Sequence, residues 1–371
     1  MKLCVLGWYG SETLGDRAIL DGIIHIYSQL FDSLEVDIGS LFPVLTERTI
    51  FEDEPFMSRH TNLKVGLFDS RDKKTLKCFI EKSDMVIMGG GPLMDLELIY
   101  IIKDAFVYAK KKGKITGIIG CGYGPLANPD YTKCVADIIS HSDVTIMRSL
   151  KCEERAKKLC NHCKNKIFTG MDPAELSAIE YSRNIGAVEK DNQWIVNVRD
   201  LKYVYPNVFS DDAKLEECIR YLSERVENIL LLPNHYFSIG GDDRYVMNKM
   251  SFVIDSQNIK VQQIPLNLKA TYDVIAKAKG CIGMRYHSIV FQTYLNGNNY
   301  IIDYTNPEKG KIPAFLDRVD KNGFYTDRYI NVFKPEAINF DLQNENRFSF
   351  HHDEFSRNVE LYKTLIAQLL R

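Results

Sequence analysis

The sequence predicts an α/β protein of two domains, each with a doubly wound parallel sheet covered by helices on both faces. Its 371 residues exceed what a single hydrophobic core usually covers, about 250–300 residues. Short continuous apolar runs alternate with helical patterns, which is typical of buried parallel strands. This alternation stops at a polar segment, residues 178–192, and restarts near Trp194, so we interpret that segment as the linker.

The first half alternates apolar strands with helices. Strands are predicted at residues 3–6, 84–88, 115–119 and 144–147. Helices are predicted from about residue 16 to 31, from 95 towards 112 and from 150 to 160. The segment 48–72 has weak periodicity and receives no assignment.

The second half repeats the pattern. Strands are predicted at residues 194–198, 229–232, 280–284 and 300–303. Helices are predicted at residues 211–226, 244–255, 270–278 and 286–295. A last helix is predicted at 353–370, because its apolar residues recur every three or four positions.

Composition narrows the class of protein. The net charge of −2 provides no overall basic field, which disfavours a nucleic-acid partner. The nine cysteines are scattered along a long chain, a pattern typical of reduced thiols in the cytoplasm. The first apolar run is too short for a signal peptide, and no run of about 18 apolar residues occurs. We therefore expect a cytoplasmic protein that does not span a membrane.

Three glycine-bearing loops follow strands of the first half, at residues 7–16, 89–95 and 120–125. Glycine lets the backbone approach a ligand, and a following helix offers free N–H groups. Asp16 could instead simply cap its helix, which is the simpler interpretation. The other two loops could equally be tight crossovers, and neither matches the dinucleotide-binding fingerprint.

A fourth loop, residues 283–288, carries the strongest signal. A predicted strand delivers Arg285 and His287 together at the start of a helix. Arginine offers an anion a two-pronged fork, and histidine can donate a proton near neutral pH. Arg199 ends the first strand of the same half, so both arginines should reach one sheet edge. We therefore predict a small, multiply charged anion there, although Arg285 could instead pair with an interior carboxylate and His287 could be a helix cap.

No metal site is predicted. Cys160 and Cys163 form a C-x-x-C pair with Cys152 nearby, but a structural zinc ion needs four ligands and no second pair occurs. We interpret the pair as incidental thiols at a helix end.

Taken together, the motifs resemble those of the polysaccharide pyruvyl transferase family. The resemblance extends from residue 3 to about 318. The motifs are G-W-Y-G-S-E-T-L-G-D-R-A-I-L (7–20), M-G-G-G-P-L-M-D (88–95), G-C-G-Y-G-P-L (120–126), M-R-S-L-K-C-E-E-R-A-K-K-L (147–159), M-D-P-A (171–174), V-R-D (198–200), L-P-N-H (232–235) and G-M-R-Y-H-S (283–288).

The resemblance implies two Rossmann-like domains in a GT-B-like arrangement. Residues 1–180 would form the domain on the acceptor side, and residues 190–345 the domain that binds phosphoenolpyruvate. Residues 346–371 would form a helix that returns to the first domain.

The resemblance also implies site residues. Arg199, Arg285 and His287 match the family's positions that bind and activate phosphoenolpyruvate. Asp16, Gly90 and Asp95 match positions in its N-terminal loops. The site prediction comprises two groups: His287, Asp16 and Asp95 as catalytic residues, and Arg199, Arg285, Gly90, Gly91, Gly122 and His235 as substrate-binding residues, with no metal ligand.

The implied activity is transfer of an enolpyruvyl group to a sugar of a cell-surface polysaccharide, which forms a pyruvate ketal and releases phosphate. Phosphoenolpyruvate would be a co-substrate, and no further cofactor is implied. The resemblance leaves open whether the saccharide acceptor is lipid-linked, whether the protein associates with the inner face of the membrane, and whether it forms a homo-oligomer. The sequence departs from the family at Thr13, where asparagine is frequent, and at Cys121, where glutamine is common.

Two other functions use the same features. A nucleotide-sugar glycosyltransferase of this architecture would place a diphosphate at the glycine loops and the basic helix start. A non-catalytic sugar- or anion-binding protein would bind without turnover.

Overall fold

The computed structural model describes residues 1–11, 13–124, 126–209, 212–237, 239–305, 310–334, 340–350 and 352–371. Residues 125 and 211, in the predicted loop 120–125 and helix 211–226, lie outside these ranges. Contacts divide the chain into two units, Met1–Ser177 with His351–Arg371, and Ala178–Phe350.

The first unit contains an eight-stranded sheet whose strand pairs are parallel. The order is β3-β2-β1-β4-β6-β7-β8, and β5 pairs with the end of β6. The strands are β1 (Lys2–Leu6), β2 (Ser33–Ser40), β3 (Asn62–Asp69), β4 (Met85–Met88), β5 (Pro92–Leu93), β6 (Ile115–Tyr123), β7 (Val144–Met147) and β8 (Ile167–Thr169).

Helices connect these strands. Every residue of β4 and β7 is buried, as expected for central strands covered on both faces. A 3₁₀ helix, Asn161–Lys166, precedes β8. The α-helices are α1 (Leu14–Ser28), α2 (Pro43–Met57), α3 (Lys73–Lys82), α4 (Ile99–Lys111), α5 (Pro129–Ser140), α6 (Leu150–Leu159) and α7 (Pro173–Asn184).

The second unit contains a six-stranded parallel sheet in the order β11-β10-β9-β12-β13-β14. Its strands are β9 (Gln193–Val196), β10 (Asn228–Leu231), β11 (Ile259–Val261), β12 (Gly280–Gly283), β13 (Asn299–Asp303) and β14 (Tyr329–Asn331). Its helices are α8 (Leu201–Val204), α9 (Ala213–Ser223), α10 (Asp243–Ile254), α11 (Leu268–Lys277), α12 (Tyr286–Leu295) and α13 (Lys311–Val319). The predicted fold class, two α/β domains with parallel sheets, is confirmed.

The last helix, α14 (His352–Leu369), packs within the first unit. Tyr362 is fully buried there, and its hydroxyl donates a hydrogen bond to the Met171 carbonyl at 2.5 Å. None of the helices in the described ranges combines the length and apolar character needed to cross a bilayer.

Two local predictions are wrong, and one segment that received no assignment has regular secondary structure. Asp16 does not cap α1; Thr13 is the N-cap, and its hydroxyl accepts a hydrogen bond from the Asp16 backbone N–H at 3.2 Å. The polar segment 178–192 is not irregular throughout, because α7 continues to Asn184. The unassigned segment 48–72 contains most of α2 and all of β3. The only buried residues of α2 are Thr46, Asp53 and Met57, so the helix has little apolar periodicity to detect.

Candidate active site

Two arginines meet at the carboxyl edge of the second sheet. Arg199 lies just beyond β9, and Arg285 is the N-cap residue of α12 directly after β12. The Nη2 atom of each donates to the Gly240 carbonyl, both at 3.3 Å. The structure therefore brings Arg199 and Arg285 together, because β9 and β12 are adjacent parallel strands that end at one edge.

Asp243 orients Arg285. Its fully buried carboxylate accepts from Arg285 Nε at 2.7 and 2.9 Å and lies 2.6 Å from Arg285 Nη2. The same carboxylate accepts from the backbone N–H groups of Asn234 and His235 and from Asn197 Nδ2. The pairing of Arg285 with an interior carboxylate is therefore present. Sequence analysis missed Asp243, because the first residue of a helix gives no local sign of a distant partner.

Arg285 remains able to bind a ligand. Its Nη2 also donates to the Gly241 carbonyl at 2.7 Å, and its backbone N–H donates to Asn197 Oδ1 at 3.0 Å. Among the described residues, Nη1 has no recorded partner, and the side chain is 15% exposed. Asp243 thus fixes one edge of the guanidinium and leaves an outer N–H group available.

Arg199 has only uncharged partners among the described residues. Its Nη1 donates to the Tyr304 hydroxyl at 3.0 Å, and its guanidinium lies 4.8 Å from the centre of the Tyr304 ring. Its Nε is buried without a hydrogen-bond partner in the described part of the chain. A buried, unsatisfied N–H on a cation is costly, and an anionic ligand would satisfy it.

Lys311, the first residue of α13, adds a third cation. Its Nζ lies 5.8 Å from the ring centres of Tyr286 and Tyr304. Burial alone would raise the pKa of the Tyr304 phenol, but Lys311, Arg199 and Arg285 lower this pKa to about 7. Sequence analysis missed both Tyr304 and Lys311 as site residues, although Tyr304 directly follows a predicted strand.

His287 lies in the first turn of α12 and is partly buried. Its ring packs edge-on against Tyr286, with ring centres 5.0 Å apart, and lies 6.2 Å from the ring of Phe291. The imidazole is thus held between two aromatic rings at the helix start, two residues after Arg285.

His235 supports the loop that the arginines contact. Its Nε2 lies 2.6 Å from the Ile239 carbonyl and therefore carries the proton, while the buried Nδ1 has no partner among the described residues. Burial and the nearby Arg285 lower the pKa of His235 to about 4, so the ring is neutral near pH 7. His235 therefore contributes no charge to anion binding.

In the first unit, the first two glycine loops pack closely together. The Trp8 indole N–H donates to the Pro92 carbonyl at 3.0 Å, and the Tyr9 hydroxyl donates to the Gly89 carbonyl. A Cβ atom added at Gly91 would lie 2.4 Å from Trp8 Cδ1, and one at Gly90 would lie 3.3 Å from Gly7 Cα. Gly90 and Gly91 thus permit close backbone packing.

Asp16 and Asp95 differ in their surroundings. The Asp16 carboxylate accepts a hydrogen bond from the Thr13 hydroxyl and borders a pocket under the first loop. Asp95 instead holds the segment between the third loop and α5, because its Oδ2 accepts from the backbone N–H groups of Ala127 and Asn128 at 2.6 and 3.1 Å. The pocket beside Asp16 is lined by Trp8, Tyr9, Gly10, Ser11, Thr13, Asp16, Arg17, Leu20, Thr46, Thr49, Ile50, Asp53 and Met57.

Gly122 lies against a buried ion pair. An added Cβ would lie 2.8 Å from Arg148 Cζ, and Arg148 Nη1 donates to Asp172 Oδ2 at 3.1 Å. Arg148 directly follows β7 and Asp172 lies three residues beyond the end of β8, at the carboxyl edge of the first sheet. Both residues lie within the quoted motifs, but sequence analysis did not select either as a site residue.

The described residues include one group with metal-ligand chemistry, namely Cys160, His162 and Cys163. Their ligand atoms lie within 4.8 Å of one another. Three ligands fall short of the four of a structural zinc site, and the absence of a metal site stays a prediction.

Comparison with known structures identifies the fold class. The chain is similar to UDP-GlcNAc 2-epimerase from Methanocaldococcus jannaschii, with a TM-score of 0.56, 14% identity and coverage of 98% of this chain and 93% of that one. It is similar to UDP-N-acetylglucosamine 2-epimerase from Rickettsia bellii, with a TM-score of 0.57, 10% identity and coverage of 100% and 96%. It is also similar to a glycosyltransferase from Rickettsia africae, with a TM-score of 0.53, 10% identity and 98% of both chains covered. At these identities the likeness shows the fold alone: two Rossmann-like domains of the GT-B class.

The family follows from the sequence. A search among curated protein sequences found no match. The family model for polysaccharide pyruvyl transferase matches residues 14–306, which is most of the chain. The chain therefore belongs to the polysaccharide pyruvyl transferase family and is a transferase.

Proposed function

We propose that this protein transfers the enolpyruvyl group of phosphoenolpyruvate to a saccharide acceptor, forming a pyruvate ketal and releasing phosphate. The observation that carries this proposal is the meeting of Arg199 and Arg285 at the Gly240 carbonyl. Phosphoenolpyruvate carries a phosphate and a carboxylate on a small skeleton. Two adjacent guanidinium groups suit such a donor, because arginine binds planar anions through paired N–H groups.

Donor binding would use groups that point away from Asp243. The outer Nη1 of Arg285 and the buried Nε of Arg199 can each donate to an anion oxygen. The first turn of α12 adds backbone N–H groups and the positive end of the helix dipole. Lys311 adds a further positive charge to the same edge.

The chemistry begins with protonation of the donor's methylene carbon by His287. The π electrons form the new C–H bond, and the central carbon becomes electrophilic. A sugar hydroxyl then adds to that carbon and loses its proton to a base. A second hydroxyl of the sugar then attacks the same carbon as phosphate leaves with the electron pair of the C–O bond. Its proton returns to the deprotonated His287, which restores the acid and closes the ketal. General acid–base assistance of this kind typically supplies about 10²–10⁴-fold in rate.

On the acceptor side we propose Asp16 as the base in preference to Asp95. Asp16 borders a pocket that is also lined by the hydroxyl-bearing residues Ser11 and Thr49, whose side chains can form hydrogen bonds with a sugar. Asp95 is engaged with two backbone N–H groups. We also propose that the reaction takes place in the cytoplasm, since all nine cysteines are free thiols.

The test is release of phosphate from phosphoenolpyruvate with a panel of nitrophenyl hexosides that present neighbouring hydroxyl groups. We expect release that depends on the acceptor, with a matching mass gain on the sugar. We also expect it to persist after exhaustive chelation. The matched control is Arg220→Gln, because Arg220 lies on the surface of α9 and pairs with Glu216. Acceptor-independent release would contradict the proposal.

A nucleotide-sugar glycosyltransferase is the second candidate, because similar solved structures include UDP-GlcNAc epimerases and a glycosyltransferase. Incubation with UDP- and GDP-sugars in place of phosphoenolpyruvate tests this candidate. Release of UDP or GDP would favour it, and binding without turnover of either donor would favour a non-catalytic protein.

A further inference from the structure

Tyr304 lies directly after β13, where charged groups from several elements face it. The side chain is buried, and its hydroxyl accepts a hydrogen bond from Arg199 Nη1 at 3.0 Å. Neighbouring elements contribute the titratable or charged groups that face or influence it: Arg199 after β9, Arg285 at the start of α12, Lys311 on α13, Tyr205 after α8, and Asp303, which directly precedes it on β13.

Of the cations around this hydroxyl, Arg199 has no carboxylate partner among the described residues. Asp243 is bound to Arg285 and to backbone N–H groups. Arg199 contacts the Gly240 carbonyl and the Tyr304 hydroxyl, and the described residues provide it with no carboxylate. The Asp303 carboxylate accepts hydrogen bonds from the Thr305 backbone N–H and hydroxyl and from the Tyr329 hydroxyl, and it forms no ion pair with Arg199 in the described part of the chain. The phenol oxygen is therefore the group best placed to balance Arg199.

We propose that Tyr304 is a proton-exchanging residue of the donor site: its phenolate is the counter-anion of Arg199 before the donor binds, and it takes up one proton when the donor's phosphate replaces it. The identity of the donor rests on the proposed function. The uptake itself requires only that a tetrahedral dianion bind at these arginines.

Electrostatics gives the direction of the exchange. The same cations that favour a phenolate are neutralised by a bound dianion, which is itself negative and favours the protonated phenol. The pKa of Tyr304 is lowered to about 7 by Lys311, Arg199 and Arg285, against the effect of burial, so a modest change in charge shifts its protonation near neutrality.

The proton then has a chemical use. When the bond between the central carbon and the phosphate oxygen breaks, its electron pair goes to that oxygen. The proton of the Tyr304 hydroxyl passes to the departing phosphate, and the O–H electron pair stays on the phenol oxygen. The phenolate is restored, so the proton taken up at binding leaves with the product. His287 still supplies the separate proton for the methylene carbon.

The near-ultraviolet tyrosinate band tests the first half of the proposal. The chain has 20 tyrosines, and the pKa of Tyr304 is lowered to about 7, well below that of an ordinary phenol. The wild-type protein should show a one-tyrosine transition centred near pH 7. Tyr304→Phe should lack it, and Tyr205→Phe should retain it, because Tyr205 is a nearby phenol whose pKa burial raises.

Sulfate tests the second half, because its charge stays constant between about pH 6 and about pH 9. Saturating sulfate should move the transition upward by about one pH unit or more. Because binding takes up a proton, sulfate affinity should fall as pH rises above 7, by a factor that approaches ten per pH unit. In Tyr304→Phe the affinity should fall less steeply with pH.

Two results would overturn the inference: a wild-type protein without a tyrosinate transition below about pH 9, or a transition that Tyr304→Phe retains. If saturating sulfate does not shift the tyrosinate transition, anion binding is not coupled to proton uptake by Tyr304, and that part of the proposal is wrong. None of these measurements needs a sugar or turnover. The inference can therefore fail while pyruvyl transfer holds, and it can hold while pyruvyl transfer fails.

Discussion

The carboxyl edges of the two sheets differ in how their charges are arranged. In the first unit, Arg148 is paired with Asp172, and Arg17 with Asp53 and Glu52. In the second unit, Asp243 pairs with Arg285, whereas Arg199 has only uncharged partners among the described residues. The arginines named at the first edge are paired with carboxylates, whereas Arg199 at the second edge has no carboxylate partner in the described part of the chain.

This difference indicates two kinds of ligand. Internally paired ions tolerate a neutral, hydroxyl-rich molecule, because such a ligand brings no charge to neutralise. Unbalanced cations that are partly removed from water bind an anion strongly. The comparison therefore favours the saccharide on the first unit and the phosphorylated donor on the second. Substitutions at each edge can test that division.

Asp243→Ala should give the largest effect, because it leaves Arg285 and two backbone N–H groups without their buried acceptor. We expect the free energy of unfolding to fall by about 3–5 kcal/mol, measured by urea denaturation. Asp242→Ala is the control, because Asp242 caps the same helix and its loss should cost only about 1 kcal/mol. Equal losses of unfolding free energy in the two variants would show that Asp243 is no more important than a helix cap and does not hold Arg285 and the backbone N–H groups in place.

His287→Gln should lower turnover by about 10²-fold or more while leaving phosphoenolpyruvate affinity nearly intact. Glutamine can still form hydrogen bonds, but it cannot donate a proton to carbon. Single-turnover rates and equilibrium binding separate the two effects. His141→Gln, which alters a histidine beside the Asp137 carbonyl in the first unit, is the control. Normal turnover with lost affinity would make His287 a binding residue.

Arg199→Gln should weaken phosphoenolpyruvate binding by about 10- to 150-fold, because it removes a charged hydrogen bond worth about 1.5–3 kcal/mol. Calorimetry without acceptor measures the loss. Arg220→Gln removes an arginine of the same unit from an exposed ion pair and should leave affinity unchanged. An equal loss of phosphoenolpyruvate affinity in both variants would mean that the overall positive charge of the unit, and not a specific contact of Arg199, is responsible.

Gly122→Ala should give the smallest effect of the four substitutions. It alters the carboxyl edge of the first sheet and should therefore affect the acceptor and not the donor. The new methyl group would lie 2.8 Å from the Arg148 guanidinium, which must shift away from Asp172. We expect the acceptor KM to rise about fivefold, corresponding to about 1 kcal/mol, with phosphoenolpyruvate affinity unchanged. A fall in phosphoenolpyruvate affinity instead would contradict the assignment of the saccharide to the first unit and the donor to the second.

The sequence predicted the elements whose pattern is local. Val144–Met147 and Tyr286–Leu295 have the predicted bounds, because a continuous apolar run and a helical period are visible within a few residues. The meeting of Arg199 and Arg285 was also predictable, since parallel strands end at one edge of a sheet.

Other features depend on contacts between distant residues. Asp243 lies 42 residues from Arg285 in sequence, and nothing around it indicates that it is buried against an arginine. Nothing in the sequence around Tyr304 indicates the cations that the fold gathers around its hydroxyl group. Thr13 takes the helix-capping position that Asp16 was expected to hold, and both residue types favour that position.

Helix α14 makes the first unit discontinuous in the chain. Tyr362 fills space beside Gly120 and Gly170, where added Cβ atoms would lie 2.7 and 3.1 Å from its hydroxyl oxygen. That hydroxyl also bonds Met171, which precedes it by 191 residues. A ribosome adding about 5–20 residues per second delivers Tyr362 roughly 10–40 s after Met171. The part of the protein that is synthesised first therefore waits for the whole second unit before its own interior can close.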